Sequence, residues 1–371
     1  MEKFKKFVVN FTDHKDVLKL KTLIPKISAL PILHCLRLTV KDQVLKIVCT
    51  DLENTAIYSM PVLSEGDFDF IVDSQYLFNL IKNHKKANIK ITPIDDQIFF
   101  YSEEMHYAYK ITSKLSQFPL LPDISIPESA PEVDYPNFYK ILSHAINFAS
   151  RDLQRPLFAG VFFHYNNRKY YVVATDGKKI YEEKLDFKLH KSMRDIVIGS
   201  TLIKTFLKFK KLGDVVTTHM QNNHVVLKSG CLTLMGYLVE GKFPDYTKAM
   251  TFTDEAYTNF KFHKSLLLSI HQAIKPFVSY DTSRVKHYYT QNSLNISATQ
   301  RETDTVICKL EIDNDIDGHS EYGVNINYFI LCLNAFDESE EIDLRIPRSS
   351  NLPLLMSSGN KCILLMPLRL S

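Results

Sequence analysis

One short pattern occurs three times along the 371-residue chain, at intervals of about a third of its length. The central copy, residues 173–181, joins two runs rich in the aromatic and β-branched residues that suit a pleated, half-buried surface. Residues 47–53 and residues 295–301 repeat the pattern on either side, each with a threonine where a β-rich run ends. Because self-similarity at a fixed spacing indicates repeated structural units, the sequence predicts three copies of one fold.

The central copy has the composition of a tight turn between two strands. Thr175-Asp176-Gly177 lies at the junction, where an aspartate side chain can bond its own backbone and a glycine tolerates a positive φ angle. Lys178 and Lys179 follow before the second run begins. We therefore expect a β-hairpin with two exposed lysines at its shoulder.

Each third of the chain has the same order of predicted elements: a helix, several strands, a second helix and closing strands. Ser74 and Ser200 precede the second helix in the first two thirds, where a hydroxyl can cap a helix N-terminus. The predicted helices begin near Asp13 and after Ser200, and cover about residues 75–85, 137–149, 264–275 and 327–336. The pattern predicts an α+β protein with two helices packed on antiparallel sheets in each of three topologically similar domains.

The length of the chain suits this division, because 371 residues are enough for two or three domains of ordinary size. A Pro-rich stretch, residues 118–136, separates the first two repeats. The predicted domains are residues 1–122, 128–250 and 251–371.

Composition narrows the class of protein. Hydrophobic residues make up 45% and charged residues 23% of the chain, as in folded soluble proteins. No run approaches the roughly 18 apolar residues of a membrane span, and the N-terminus lacks the apolar core of a signal peptide. The six cysteines are scattered without a Cys-x-x-Cys pair, which indicates reduced core residues in a cytoplasmic protein. The net charge of +3 neither predicts nor excludes nucleic-acid binding.

One stretch imitates a phosphate-binding loop. Gly236, Gly241 and Lys242 have the required spacing. However, Phe243 replaces the Ser or Thr that would hold Mg²⁺, and Pro244 would interrupt the helix that such a loop must start. We therefore do not expect a nucleotide site here.

Other catalytic patterns are also missing from the sequence. Asp51 and Asp176 occupy equivalent places in two repeats, so a turn-forming role is expected rather than a pair of metal-binding carboxylates. The 13 histidines have no His-Glu-x-x-His spacing, and there is no Gly-x-Ser-x-Gly elbow. The sequence predicts a protein that is not an enzyme and has no catalytic residues, metal or cofactor.

Three like units in a row favour a closed ring, because pseudo-symmetric units can propagate around an axis that a cyclic dimer closes. Lysines on the helices of such a ring would line its hole and meet the phosphate backbone of DNA without reading base sequence. A lysine-bearing helix side is also typical of an ordinary solvated surface. The candidate DNA-facing residues are Lys82, Lys85, Lys86, Lys204, Lys208 and Lys211.

Several separated motifs, taken together and in order, resemble one known family. They are Leu30-Pro31-Ile32-Leu33 with Thr50-Asp51-Leu52-Glu53, Arg155-Pro156-Leu157-Phe158-Ala159-Gly160-Val161, Ala174-Thr175-Asp176-Gly177, Glu240-Gly241-Lys242-Phe243-Pro244-Asp245-Tyr246 and Met366-Pro367-Leu368-Arg369-Leu370. With these motifs the chain resembles, over essentially its whole length, the bacterial sliding clamps, which are the β subunits of DNA polymerase III. It departs from them at Lys178-Lys179-Ile180, where the family usually has His-Arg-Leu, and at Phe158, where Leu is common.

The resemblance implies a head-to-tail homodimer that forms a ring of six similar domains around duplex DNA, without sequence specificity. Such a DNA sliding clamp catalyses nothing; it is a processivity factor in DNA replication that tethers the polymerase. The implied partners are the DNA polymerase III alpha subunit, the clamp loader and other proteins with a clamp-binding motif. The alternative with the same fold is a clamp paralogue that sequesters a small molecule or antibiotic in the partner groove.

That groove lies between the second and third domains in the family, and the matching motifs carry it over to this chain. An aliphatic, Met-bearing surface can accept apolar peptide anchors, and Lys and Arg at its rim attract acidic residues. Residues 364–368 also fit a plain final core strand. The residues that the resemblance assigns to the groove are Phe158, Thr175, Gly177, Lys178, Lys179, Ile180, Pro244, Lys248, Ala249, Pro353, Leu364, Leu365, Met366, Pro367, Leu368, Arg369 and Leu370.

The family also pairs the first domain of one subunit with the third domain of its partner through edge strands. The candidates for this dimer contact are Tyr107 and Tyr109 on one side and Phe277 and Val278 on the other. An unpaired edge strand is the expected place for such strand addition. The same residues would also suit an ordinary core.

Overall fold

The computed structural model describes residues 5–83, 88–102, 106–111, 114–122, 125–251, 256–279, 281–290, 293–301, 304–311, 320–349 and 351–368. Within these ranges the chain forms 25 strands, arranged in four antiparallel sheets, and five α-helices. The α+β class predicted from the sequence is confirmed, and the elements follow the predicted order.

The strands are β1 (Phe7–Asn10), β2 (Cys35–Lys41), β3 (Val44–Thr50), β4 (Asn54–Pro61), β5 (Leu63–Ser64), β6 (Phe68–Asp73), β7 (Asn88–Ile94), β8 (Gln97–Tyr101), β9 (His106–Lys110), β10 (Glu132–Asp134), β11 (Gly160–Asn166), β12 (Lys169–Thr175), β13 (Lys179–Lys184), β14 (Ile196–Gly199), β15 (Val215–Gln221), β16 (His224–Ser229), β17 (Leu232–Tyr237), β18 (Tyr257–His263), β19 (Arg284–Thr290), β20 (Ser293–Arg301), β21 (Asp304–Glu311), β22 (Ser320–Asn325), β23 (Glu341–Pro347), β24 (Leu354–Ser358) and β25 (Lys361–Leu365). The α-helices are α1 (Ser74–Asn83), α2 (Tyr135–Ala145), α3 (Ser200–Phe206), α4 (Lys264–Ile274) and α5 (Ile326–Leu333). Short 3-10 helices cover Lys15–Thr22, Pro31–His34, Leu115–Gln117, Lys191–Met193, Thr247–Met250 and Lys275–Phe277.

The chain divides into two compact units. Unit 1 consists of Met1–Tyr139, Leu189–Met193 and Ile198–Leu238, and unit 2 of Lys140–Lys188, Arg194–Val197 and Val239–Ser371. The division into three domains at residues 1–122, 128–250 and 251–371 stays a prediction.

Unit 1 contains two sheets. One has five strands in the order β5-β1-β7-β8-β9, and the other has eight in the order β10-β15-β16-β17-β4-β3-β2-β6. Leu36, Leu38 and Val40 alternate along β2 and are all buried, as expected for a strand with one face on a core. Strand β4 lies near the centre of the larger sheet, with Ala56 opposite Cys49 of β3 and Leu234 of β17.

Unit 2 also contains two sheets. Eight strands follow the order β14-β11-β12-β13-β25-β24-β23-β18, and four follow the order β21-β20-β19-β22. Helices α4 and α5 pack against each other, with Leu267 and Phe329 fully buried. Strand β13 joins parts of the chain that are far apart in sequence, because it pairs with β12 on one side and with the final strand β25 on the other.

The helix predicted near Asp13 is present as a 3-10 helix, Lys15–Thr22. Val17 and Leu20 are its buried side chains, and the buried Leu23 follows the helix at the same spacing of three. Positions three apart lie directly above one another in a 3-10 helix, so this spacing aligns all three toward the core.

The predicted helix caps are wrong. Asp73, at the end of β6, caps α1, because its carboxylate accepts the Tyr76 N–H at 3.0 Å; Ser74 is the first helical residue and is buried. A carboxylate also suits the positive end of the helix dipole. In α3 the cap position is Gly199, which forms no side-chain bond, and Ser200 again lies inside the helix.

Helix α3 is shorter than its lysine pattern suggests. It ends at Phe206, so Lys208 and Lys211 follow the helix rather than lie on one of its sides. The Phe209 N–H donates to the carbonyl of Phe206 at 3.0 Å, a three-residue bond that tightens the chain. This turn brings the fully buried Phe209 into the core.

Two of the three predicted repeats have the same turn, bond for bond. The Thr50 hydroxyl donates to the Asn54 carbonyl at 2.8 Å, and the Thr175 hydroxyl donates to the Lys179 carbonyl at 2.7 Å. Each hydroxyl oxygen accepts the N–H two residues later, and each following aspartate accepts two further backbone N–H groups. The third copy differs, because β20 and β21 shift register after Thr299.

Two expectations from composition can be compared with the structure. All six cysteines are free thiols, and burial raises the pKa of Cys49 to about 12 and that of Cys362 to about 11. In the described ranges, no helix has both the length and the apolar character needed to cross a membrane.

Two buried histidines form a polar centre between α4 and β19. Their Nε2 atoms, in His271 and His287, are 2.9 Å apart, and His271 Nδ1 lies 2.6 Å from the carbonyl of Leu267. Because that carbonyl can only accept, a neutral His271 carries its proton on Nδ1, and its Nε2 accepts the Nε2–H of His287. The rings of Phe329 and Tyr322 stack on the pair. Burial lowers the pKa of both histidines, to about 4 for His271.

We expect the free energy of unfolding to fall as the pH is lowered from about 7 to about 5. The unfolded chain takes up a proton at the ordinary histidine pKa of 6.5, whereas folded His271 resists protonation down to about 4, so acid favours the unfolded state. For His271 the loss at pH 5 is about 2 kcal/mol. Urea unfolding at both pH values measures this loss in the wild type. A His271→Phe, His287→Phe double variant should lose less stability between the two pH values, because it lacks both histidines. Equal pH dependence in the two proteins would contradict the assignment.

Candidate partner-binding and nucleic-acid surfaces

One face of the large sheet of unit 2 carries a row of apolar side chains. Ile180 lies opposite Thr175 of β12 and Leu364 of β25, and Leu364 lies opposite Leu355 of β24. Cross-strand partners share a face, so these four side chains form one continuous row. All four are buried. The structure thus brings three of the predicted groove residues together.

Aromatic rings cover this row from one side. The Phe243 ring stacks on Phe162 with centroids 4.5 Å apart and an interplanar angle of 10°, and Phe158 meets Phe243 edge-on at 6.1 Å. Tyr246 belongs to the same buried cluster. The predicted groove residues on this connector, Pro244 and the more distant Lys248 and Ala249, are exposed. The connector therefore forms a wall with a buried aromatic inner side and an accessible outer side.

The C-terminal segment, residues 366–368, forms an apolar surface beside the turn of β12 and β13, which we call the ledge. The Met366 N–H donates to the Lys178 carbonyl at 2.9 Å, and the Leu368 N–H donates to the Gly323 carbonyl at 2.7 Å. These two bonds hold the segment at both ends. Met366 is 42% exposed, Pro367 and Leu368 are half-buried, and Gly177 and Lys178 are exposed next to it. We refer to the surface formed by Phe158, Gly177, Lys178, Pro244 and Met366 as the unit 2 surface.

The prediction of two exposed lysines after the turn is half wrong. Lys178 is exposed, but Lys179 is 3% exposed, on the opposite face of the sheet from Ile180. Its ammonium group pairs with the Asp176 carboxylate and lies 4.9 Å from the Tyr328 ring centroid. The alternation of side chains along β13 explains this, since neighbouring residues of a strand point to opposite faces. Lys179 therefore stabilises the turn through its ion pair with Asp176, on the opposite face of the sheet from Ile180.

Several other predicted groove residues belong to the core. Leu365 is buried on the same face as Lys179, which it opposes in register, and Pro353 is buried beside Leu354. For Leu364 and Leu365 the structure matches the reading as a final core strand. Arg369 and Leu370 lie outside the described residues.

The rim of the unit 2 surface is cationic. Lys178 and Lys248 are exposed, and the Arg155 guanidinium lies 4.8 Å from the Phe158 ring centroid. The acidic neighbour Asp245 is already engaged, because Thr247 donates its hydroxyl to that carboxylate at 2.6 Å and so holds the pKa of Asp245 below its ordinary value. Exposed cations beside an apolar ledge suit a peptide with apolar anchors and negative charge.

A second candidate surface lies in unit 1, where the 3-10 helix Lys15–Thr22 packs against both α1 and α3. This helix connects the two predicted groups of DNA-facing lysines. Lys19 lies on it, 5.6 Å from the Phe209 ring centroid, just beyond α3. The described lysines of the prediction are all exposed, namely Lys82, Lys204, Lys208 and Lys211, whereas Lys85 and Lys86 lie outside the described residues.

A cavity of about 740 Å³ opens on this part of unit 1. Lys21, Lys26 and Lys82 line it together with His34, and the carboxylate of Asp73 in the lining already caps α1. Lys21 and Lys26 were not predicted from the sequence, although Lys15, Lys19, Lys21 and Lys26 lie close together in it. They were missed because they lie on a 3-10 helix and its exit, where an α-helical period does not group them.

The candidate dimer residues divide into exposed and inward-facing members. Tyr107 on β9 is exposed, whereas the Tyr109 ring packs on Tyr76 with centroids 4.7 Å apart. Phe277 is exposed, whereas its neighbour Val278 is buried. Strands β9 and β21 lie at the outer edges of their sheets.

In the part of the chain that the structure describes, no group of three or more His, Cys, Asp or Glu residues could hold a metal ion.

Comparison with known proteins gives matches along the whole chain. Residues 9–122 match the family model of the DNA polymerase III beta subunit, N-terminal domain. The beta sliding clamp of Chlamydia pneumoniae is 22% identical, with 98% of this chain and 99% of that protein covered, and that of Staphylococcus aureus is 22% identical, with 94% and 95% covered.

Solved structures of the same kind share the fold. A beta sliding clamp of C. crescentus has a TM-score of 0.89 at 16% identity, covering 99% of both chains. A sliding clamp from Pseudomonas aeruginosa, bound to griselimycin, has a TM-score of 0.87 at 18% identity, with 99% of this chain and 100% of that chain covered.

These matches, together with the repeated turn and the four antiparallel sheets, define a protein of the clamp fold. Residues 9–122 match the N-terminal domain of the DNA polymerase III beta subunit family, and over nearly its whole length the chain is similar to the beta sliding clamps of C. pneumoniae and S. aureus.

We expect the effects on stability of substitutions at Lys179 and Asp176 to be strongly coupled, because the two side chains form a buried ion pair. Lys179→Met leaves the Asp176 carboxylate without its cation in a mostly buried place and should lower the free energy of unfolding by about 3 kcal/mol. Adding Asp176→Asn removes the unpaired charge while keeping an acceptor for the turn N–H groups. Urea unfolding should therefore find the double variant more stable than Lys179→Met alone. Additive losses would contradict the coupling.

Proposed function

We propose that this chain is a DNA sliding clamp that closes, as a head-to-tail homodimer, into a ring around duplex DNA. The whole-length likeness to curated beta sliding clamps carries this proposal, because it runs through all three predicted domains, residues 1–122, 128–250 and 251–371. The work of such a ring is mechanical. It keeps the replicative polymerase on the template and catalyses no step, so the protein acts in the cytoplasm wherever the chromosome is copied.

Partners dock by a short peptide on the unit 2 surface in this proposal. The exposed Met366 side chain and the Phe158 ring offer places for apolar anchors, and Lys178 and Lys248 offer charges for acidic residues. The partners are the DNA polymerase III alpha subunit, the clamp loader and other proteins with the same kind of motif. Thr175 and Ile180 contribute the buried floor beneath.

In this proposal, duplex DNA lies against the lysine-rich surface of unit 1 that includes Lys21, Lys26 and Lys82, which we call the basic surface. Exposed lysines bind phosphate oxygens without reading bases, as a protein that slides along duplex DNA requires. Besides Lys82, Lys204, Lys208 and Lys211, we include Lys21 and Lys26, because they line the same cavity as Lys82. Non-specific contacts of this kind are spread over several residues, so no single lysine is essential.

The dimer forms by strand addition between β9 of one copy and β21 of the other. Both are outer strands, and their backbone groups can extend a sheet across the subunit boundary. Tyr107 lies on β9, and the 3-10 helix that contains Phe277 packs against β20 and β21. These two exposed aromatic side chains would be buried by the pairing.

Peptide binding tests the unit 2 surface. A fluorescein-labelled peptide of the Gln-Leu-x-Leu-Phe type with acidic flanks should bind saturably, and Met366→Ser should weaken it about tenfold by removing an apolar contact at the centre of the surface. Lys178→Glu should weaken it similarly by charge reversal. Fluorescence anisotropy measures both, with Lys46→Glu, an exposed lysine of unit 1, as the matched control. Unchanged binding in both variants would rule out this docking surface.

Duplex binding at low salt tests the basic surface. Lys21→Glu, Lys26→Glu and Lys82→Glu should each weaken binding of a labelled duplex several-fold and reduce the slope of log affinity against log salt, because each removes a phosphate contact. Lys46→Glu again serves as the control, since it makes the same charge change elsewhere in unit 1. Equal weakening by the control would assign the effect to net charge rather than to this surface.

A further inference from the structure

The turn that borders the unit 2 surface has a counterpart in unit 1 with the same environment. There the Tyr237 N–H donates to the Glu53 carbonyl at 3.0 Å, as the Met366 N–H donates to Lys178. Thr55 lies opposite Met235, as Ile180 lies opposite Leu364. Tyr237 therefore occupies the place of Met366, and Glu53 occupies the place of Lys178.

The wall of the unit 2 surface is repeated as well. Phe118 and Pro119 in unit 1 match Phe243 and Pro244, and Phe118 is buried against a cluster that contains Val48, the counterpart of Val173. Ile32 and Leu33, from the chain before β2, belong to the same cluster. Floor, wall and ledge of the unit 2 surface thus all have equivalents within unit 1.

Apolar side chains remain accessible on this counterpart. Leu52 is 50% exposed, Tyr237 is 52% exposed, and Leu120, two residues after Phe118, is 98% exposed. Leu52 also adopts φ +80°, close to the φ +88° of Gly177, although a leucine is strained at positive φ. A large apolar residue kept at a strained and exposed place is costly unless its side chain has a use, because glycine would relieve both costs.

The charge at this turn is opposite to that of the unit 2 surface. Exposed Glu53 replaces the exposed Lys178. Asp51 matches Asp176, but its partner is the neutral Asn54 amide, whereas Asp176 pairs with the Lys179 ammonium group. The exposed lysines on the same face of the sheet lie away from the turn: Lys46 is four residues before Thr50 on β3, and Lys228 is two strands away from Ile57. The end of the surface where the ledge lies is therefore acidic, and it complements a positively charged partner.

We infer that unit 1 carries a second peptide-docking surface, formed by Leu52, Glu53, Leu120 and Tyr237, that binds a short peptide with apolar anchors and basic residues. It uses the backbone frame of the unit 2 surface and selects a partner of opposite charge. This inference goes beyond the proposed function, because it needs only the geometry of unit 1.

Two fluorescein-labelled peptides test it on the full chain by fluorescence anisotropy. Both contain two leucines and a phenylalanine, one flanked by lysines and the other by glutamates. The wild type should bind the basic peptide saturably, and Leu52→Gly with Tyr237→Ser should weaken it about tenfold by removing the central apolar contacts. Leu52→Gly suits φ +80°, so thermal unfolding should find no loss of stability from that substitution alone.

Charge reversal supplies the matched control. Glu53→Lys should weaken the basic peptide and leave the acidic peptide on the unit 2 surface unchanged or increase its total binding, whereas Lys178→Glu should weaken only the acidic peptide. The inference is overturned if the basic peptide does not saturate, if the Leu52→Gly, Tyr237→Ser variant binds it normally, or if Lys178→Glu alone abolishes it. Failure of the acidic peptide to bind the wild type would instead count against the proposed function.

Discussion

The bonds of one turn hold the unit 2 surface together. Asp176 accepts backbone N–H groups of the turn and pairs with the buried Lys179, whose ammonium group lies near the Tyr328 ring of α5. On the other side the Lys178 carbonyl fixes the C-terminal segment through Met366. The turn at residues 175–179 thus contacts both the C-terminal segment and the helix α5. Because a buried carboxylate without its cation is unfavourable, breaking the Asp176–Lys179 pair should lower the stability of the fold.

The same turn in unit 1 has been adapted to other surroundings. Thr50 and Asp51 form the bonds of Thr175 and Asp176, so the backbone frame is kept although the flanking residues differ. Asn54 replaces Lys179 and donates its side-chain N–H to Asp51 at 3.2 Å. An amide in place of an ammonium group removes the need for a buried ion pair. Repetition of a frame with changed side chains is the physical basis for two surfaces of different charge on one chain.

Much of the fold could be predicted because it depends on local patterns. Alternating runs located the strands, and the recurrent threonine identified two equivalent turns. Features set by neighbours from distant parts of the chain could not be predicted in the same way. The burial of Lys179 depends on which face of β13 meets the helices, and the stacking of Phe243 on Phe162 depends on the path of the connector. The cap at Asp73 was missed because a strand and a helix join there without an intervening loop.

The candidate sites divide along the same line. Met366 and Lys178 could be predicted from the sequence, because each lies within or next to a short motif that is recognisable in the sequence alone. Lys21 and Lys26 needed the structure, because only the packing of a 3-10 helix against α1 brings them beside Lys82. Leu52 needed it too, because its positive φ angle is invisible in the sequence.

A ring that encircles DNA is tested most directly by topology. The chain is loaded onto nicked circular DNA by its clamp loader with ATP, and the complex is separated from free protein by gel filtration at high salt. A closed ring stays on the circle, because salt screens phosphate contacts but cannot open a topological link, and it is lost once the circle is cut with a restriction enzyme. Equal retention on circular and linear DNA, or loss from both at high salt, would contradict the clamp.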